Sequence, residues 1–142
     1  MAAMTNYLEN KLVDHIFRNT SFTMPAELHM SLHSSDPGET GANEISGNSY
    51  ARAQLDPSVS NWKSTNGTTS GASSGTGGQT SNAVVITFPT PTGSWGTVTH
   101  FAIWDAATSG NPLVYGVLTI SKTIDQGDTV TFGVDALTVT FA

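Results

Sequence analysis

The chain of 142 residues contains no cysteine. That excludes disulfides and thiolate metal sites together. Charge is scarce as well: Asp, Glu, Lys and Arg make up 11% of the residues, against about 25% in ordinary soluble domains. Five basic residues face eleven acidic ones, a net charge of −6. Without a basic cluster, direct nucleic-acid binding through phosphates is not expected. No run approaches the ~18 consecutive apolar residues of a membrane helix. The opening MAAMTNYLENK lacks the basic and apolar regions of a signal peptide, so synthesis in a cytoplasm is expected. No repeat recurs at a fixed period, which removes solenoids and propellers.

Ser, Thr, Asn and Gly stand where charge is missing. Such a surface stays soluble through neutral polar groups. It suits a protein that lies against other proteins, because burying neutral groups costs less than burying charges. The length fits one domain, 1–142, large enough to bury a core without staples.

Residues 6–18 read as the one helix. Asn6 can cap it and Glu9 can reach back, a capping-box-like pair. Leu8, Leu12, Val13, Ile16 and Phe17 recur at helical spacing, and Asn19 is a stop signal. From Pro25 the period changes to two. Leu28, Met30 and Leu32 fall on one face of a strand, with His29 and His33 on the other, outer face. A short strand is expected between Tyr50 and Leu55. Residues 63–82 are Ser, Thr, Gly and Asn but for Lys63, Ala72 and Gln79, a flexible loop by composition. Residues 83–142 form the main strand-rich core, with strands expected over 83–88, 97–105, 113–120, 129–134 and 137–141. The fold class is therefore mainly β, an antiparallel β-sandwich with one N-terminal α-helix.

Candidate chemistry is thin. Gly71-Ala72-Ser73-Ser74-Gly75 matches G-x-S-x-G, but a nucleophile elbow needs a strand before it and a helix after it. His29 and His33 with Asp36 resemble part of a metal site, yet two side chains four residues apart on a strand stand ~13 Å from each other. His100 has no nucleophile with which to act as a base, and a hydrogen-bonded core or interface role fits it better. Asp125, Asp128 and Asp135 lack Ca²⁺-loop spacing and read as turn formers. Trp62, Trp95 and Trp104 with Tyr7, Tyr50 and Tyr115 could make a sugar-binding platform, but core and interface packing accounts for them more simply. No catalytic, cofactor or metal residue is expected.

Four segments carry a likeness: LENKLVDHIFRNT (8–20), SLHSSDPGETG with Glu44 (31–44), SYARAQL (49–55), and FPTPTGSWGTVTHFAIWDAATSGNPLVYGVL with SKTI and GDTVTF (88–132). They resemble small virion structural proteins of tailed bacteriophages, a head decoration (cement) family often labelled tail-fibre-like. The likeness spans most of the chain except the Ser/Gly tract. It implies a non-enzymatic capsid decoration protein that binds the outer head surface and stabilises the shell. The alternative is a tail-fibre or baseplate-associated protein, possibly touching the host receptor. The implied partners are the major capsid protein and two further copies in a homo-trimer, without nucleic acid, membrane, cofactor or small-molecule ligand. The implied location is the virion, assembled in the host cytoplasm. The helix and the 63–82 tract are the expected contact elements, with Tyr7, Leu8, Leu12, Phe17, Trp62 and Trp95 as subunit or capsid contacts.

Overall fold

A computed structural model describes residues 2–141. Its elements run β1 (Ala2–Met4), α1 (Asn6–Phe17), β2 (His29–His33), a 3-10 turn (Gly38–Thr40), β3 (Ala53–Gln54), β4 (Gln79–Ser81), β5 (Ile86–Thr87), β6 (Gly96–Trp104), β7 (Pro112–Ile124), β8 (Thr131–Phe132) and β9 (Thr138–Thr140). The fold is mainly β, antiparallel, with one helix, as the alternation predicts.

The centre is a five-stranded sheet in the order β1-β7-β6-β2-β3. Two ribbons, β4 with β9 and β5 with β8, contribute to the same core. The register explains how. Met30 stands opposite Ile103 and Leu32 opposite Phe101, while Ile103 and Phe101 face Val114 and Gly116 on β7. These side chains share one face of the sheet, because side chains alternate along a strand. Ile86, Phe88, Leu137 and Val139 from the ribbon segments pack against them in a single buried cluster. Each large aliphatic or aromatic side chain so buried contributes roughly 1.5–3 kcal/mol over exposure.

β1 and β4 are strands without a sequence pattern of their own. Ala2–Met4 lies along Gly116, Tyr115 and Val114, and Gln79–Ser81 lies along Thr140, Val139 and Thr138. Partners distant in the chain define both. The remaining tract residues form an exposed loop whose base is closed by the Lys63 N–H donating to the Ser81 carbonyl at 2.9 Å.

The helix cap differs from expectation. Thr5 is the cap, and Asn6 is the first helical residue. Thr5 is buried; its Oγ1 accepts from the Leu8 N–H at 3.3 Å and donates to the Pro112 carbonyl at 2.6 Å. It therefore caps the helix and ties it to β7 at once, which Asn6 is not placed to do. The helix ends at Phe17, and Asn19 with φ 53° supplies the left-handed stop.

Candidate functional site

The second face of the central sheet carries the densest polar chemistry of the chain. On β2 this face holds His29, Ser31 and His33, all buried. The expectation that His29 and His33 point to solvent is thus overturned. Both faces of β2 are covered, one by the core and the other by the loop that follows β2 and by Arg52. Burial is tolerated because the groups are neutral and mostly paired. Trp104 Nε1 donates to Ser31 Oγ at 2.7 Å. Ser31 Oγ lies 2.7 Å from His33 Nε2, and His33 Nδ1 lies 2.7 Å from the Ala42 carbonyl. A carbonyl can only accept, so Nδ1 carries the proton and Nε2 accepts from Ser31. Desolvation holds the His33 pKa below its ordinary value, against the opposing pull of the Ala42 hydrogen bond and Glu44.

Next to this chain sits an ionic cluster. Arg52 Nε and Nη2 donate to the two Glu44 carboxylate oxygens, each at 2.8 Å. Arg52 Nη1 donates to the carbonyls of Ala106 and Ser109, both at 2.9 Å. The guanidinium lies 3.7 Å from the Trp104 ring centroid, within cation–π range. The Tyr50 hydroxyl donates to Glu44 Oε1 at 3.0 Å and accepts from the Leu32 N–H at 2.9 Å. Desolvation, reinforced by Glu44, raises the Tyr50 pKa far above the ordinary phenol range, so this hydroxyl stays protonated. Gly41 closes the cluster: with φ +69° it lies flat on Trp104, and a Cβ there would stand 2.1 Å from the ring.

This arrangement holds a loop on a sheet. Its donors and acceptors are saturated by one another, and the atoms that could move protons already bond within the chain. A reacting site needs a nucleophile, a base and room for substrate, and the cluster offers no such room.

The other candidates lie apart. Gly71–Gly75 is in the exposed loop, with neither a strand before it nor a helix after it. His29 bonds Glu27 Oε2 at 3.0 Å while its Nδ1 has no partner. His100 stands across from His33 and bonds Thr99 Oγ1 at 2.8 Å through Nδ1. Asp105 clamps the β6–β7 turn by accepting from the Asn111 N–H at 2.7 Å and Nδ2 at 2.8 Å. Asp128 accepts from the Asp125 N–H at 2.8 Å in a tight turn. Asp135 receives Lys63 at 2.5 Å and Ser81 Oγ at 2.6 Å, anchoring the base of the polar loop. Among the described residues, no group of three or more His, Cys, Asp or Glu side chains is placed to hold a metal ion.

The six expected contact residues are dispersed. Leu8 and Trp95 are in the chain's own core, and Trp95 Nε1 donates to the Asn48 carbonyl at 3.0 Å. Tyr7, Leu12 and Trp62 are half-buried. Phe17 is 79% exposed, and beside it on the helix Val13 and Ile16 are exposed too. Arg52 and Glu44, the centre of the polar cluster, escaped sequence reasoning as a pair. Their only local signal is a charge on either side of Tyr50 in a chain where charge is rare.

Residues 3–140 match the model of the family described as podophage GP4 fiber I protein gp80. The chain belongs to this family. Its assignment as a bacteriophage structural protein follows, in agreement with the likeness read in the sequence. The family carries a fibre description and no head-decoration one. No curated protein matches the sequence. Within the gp80 family fold, the polar cluster is therefore a structural device of a virion protein. No helix among the described residues is long and apolar enough to cross a membrane.

Proposed function

We propose that the chain is a non-enzymatic structural subunit of a phage fibre, working in the virion as a homo-oligomer, with a trimer as the expected multiplicity. The observation that supports this most is the extent of the fibre-family match, residues 3–140. The fibre description thus applies to nearly the whole chain and not to a fused part of it. The chemistry of the interior agrees. His33, Arg52 and Glu44, the groups best suited to catalysis, are engaged in fastening a loop to the sheet. A host-contacting aromatic platform gains no support, since Trp95 and Trp104 are both buried.

Capsid decoration is the second reading. The observation in its favour is the surface, in which only 11% of all residues carry charge. Such a surface loses little on lying flat against a major capsid protein. Repeated weak contacts around a shell would then add through multivalency.

A reconstruction of the intact virion tests both. The fibre reading expects this fold in appendages at low copy number. Copies in the hundreds spread over the head would replace it with the decoration reading. The non-enzymatic part is tested separately, by incubating the purified protein with host envelope polymers. Turnover that disappears in His100→Ala would refute it.

A further inference from the structure

Two apolar surfaces of this chain lack a partner within it, and they lie toward opposite ends of β7. One is the outer stripe of α1, made of Val13, Ile16 and Phe17, of which Ile16 is 64% and Phe17 79% exposed. The helix is tied to the start of β7, where the Thr5 N–H donates to the Leu113 carbonyl at 2.9 Å. The other is a groove of about 650 Å³ beside the far half of β7, lined by Val117, Ile120, Val130 and Phe132 among others. Its wall departs from regular pairing. Val98 pairs Lys122 and His100 pairs Val117, so residues 118–121 of β7 bulge out opposite Thr99. Val117 and Ile120 consequently stand exposed. From Leu113 to Ile120 is about 20 Å along a strand.

We propose that the α1 stripe of one copy seats in the β7 groove of a second copy, a head-to-tail contact that propagates around an oligomer. Shape and charge both favour this occupant. A helix stripe of one β-branched, one branched and one aromatic side chain is what an open groove of this size accepts. The charged groups lining the groove are Lys122 and Asp128. The stripe carries Glu9 within it and has Asp14 and Arg18 beside Phe17, so each groove charge meets an opposite sign. The two surfaces are different and lie on one chain. Their union is therefore heterologous, which closes into a ring when the rotation permits. This inference names the contact behind the homo-oligomer proposed above, and it is tested on the purified chain without a virion.

The test uses two variants that each lose one half of the contact. Ile16→Asp with Phe17→Asp disables the helix, and Val117→Asp with Ile120→Asp disables the groove. Mass is read by light scattering at about 100 μM, above the Kd of a weak specific interface. The wild type is expected as an oligomer and each variant as a monomer. An equimolar mixture is expected to stop at a dimer, because one working helix and one working groove remain. Far-UV circular dichroism checks folding, and Phe17→Ser with Val117→Ser replace any variant that does not fold. A monomeric wild type, a variant that keeps the wild-type mass, or a mixture that stays monomeric each overturns the proposal. The last two results include the case in which helix stripes pair with each other and leave the groove empty.

Discussion

Removing the Arg52 side chain tests the structural reading of the polar cluster most directly. The Arg52 side chain is 7% exposed and that of Glu44 22%. Arg52→Ala removes both 2.8 Å bonds to the Glu44 carboxylate, the bonds to the Ala106 and Ser109 carbonyls, and the stacking on Trp104. What remains is a largely buried carboxylate with the Tyr50 hydroxyl as its one side-chain donor. Breaking a buried pair by deleting one partner costs about 3–5 kcal/mol. Partial access of water to Glu44 puts the expectation at the lower end, about 3 kcal/mol. For a domain of this size that is a fall in Tm of roughly 10 °C. Arg52→Lys keeps the charge without the planar fork, so it should fall between the two. The double variant Arg52→Met with Glu44→Met should lose less than Arg52→Ala, since no charge is left unpaired. Calorimetry of these four proteins and the wild type decides. A change of less than about 2 °C for Arg52→Ala would mean that the cluster does not hold the loop, and the reasoning fails.

Three further outcomes are expected. The depressed pKa of His33 links stability to pH: the unfolded chain takes up a proton near pH 6.5 while the folded chain resists it. Stability is then complete above pH 6.5 and declines as pH falls from there through the folded pKa. His33→Asn should flatten that slope in a series of melts. Gly41→Ala drives a Cβ into the Trp104 ring and strains a left-handed residue, costing about 3 kcal/mol, read as a lower urea midpoint. Asp135→Asn weakens the hold on Lys63 at the base of the polar loop. It should speed hydrogen exchange over residues 64–78 and leave β2 and β6 protected; uniform exchange change across the sheet would contradict a local anchor.

Much of the β core was legible because period-two alternation coincides with the face that packs. Phe101 and Ile103 on β6 and Met30 and Leu32 on β2 read correctly for that reason. The same rule misplaced His29 and His33. Alternation separates two faces of a strand but does not say what covers each, and here the second cover is a loop fastened by Glu44 and Arg52. Ser31 and His33 look like solvent-facing residues until their partners, Trp104 and the Ala42 carbonyl, arrive from elsewhere in the chain. The cap shows a similar limit. Thr5 and Asn6 are both competent, and the decisive bond from Thr5 to Pro112 joins positions 107 apart. The helix stripe was legible as a pattern, Leu8 through Phe17. Its division into a buried start and an exposed end depends on where β7 stops supporting it.

The polar loop between Lys63 and Ser81 leaves and re-enters the fold at one point, where a 2.9 Å backbone hydrogen bond and the Lys63–Asp135 pair close its neck. Its internal bonds, such as Thr65 N–H to Ser73 Oγ at 3.1 Å, are local and exposed. Chain length inside such a neck is nearly free: doubling a loop costs only about 0.6 kcal/mol in closure entropy. Selection on the core therefore places almost no limit on what this segment contains. A virion protein with such a neck can change its outer face from one lineage to the next while its core stays the same. The same neck makes residues 66–75 the natural place to insert a foreign peptide for display.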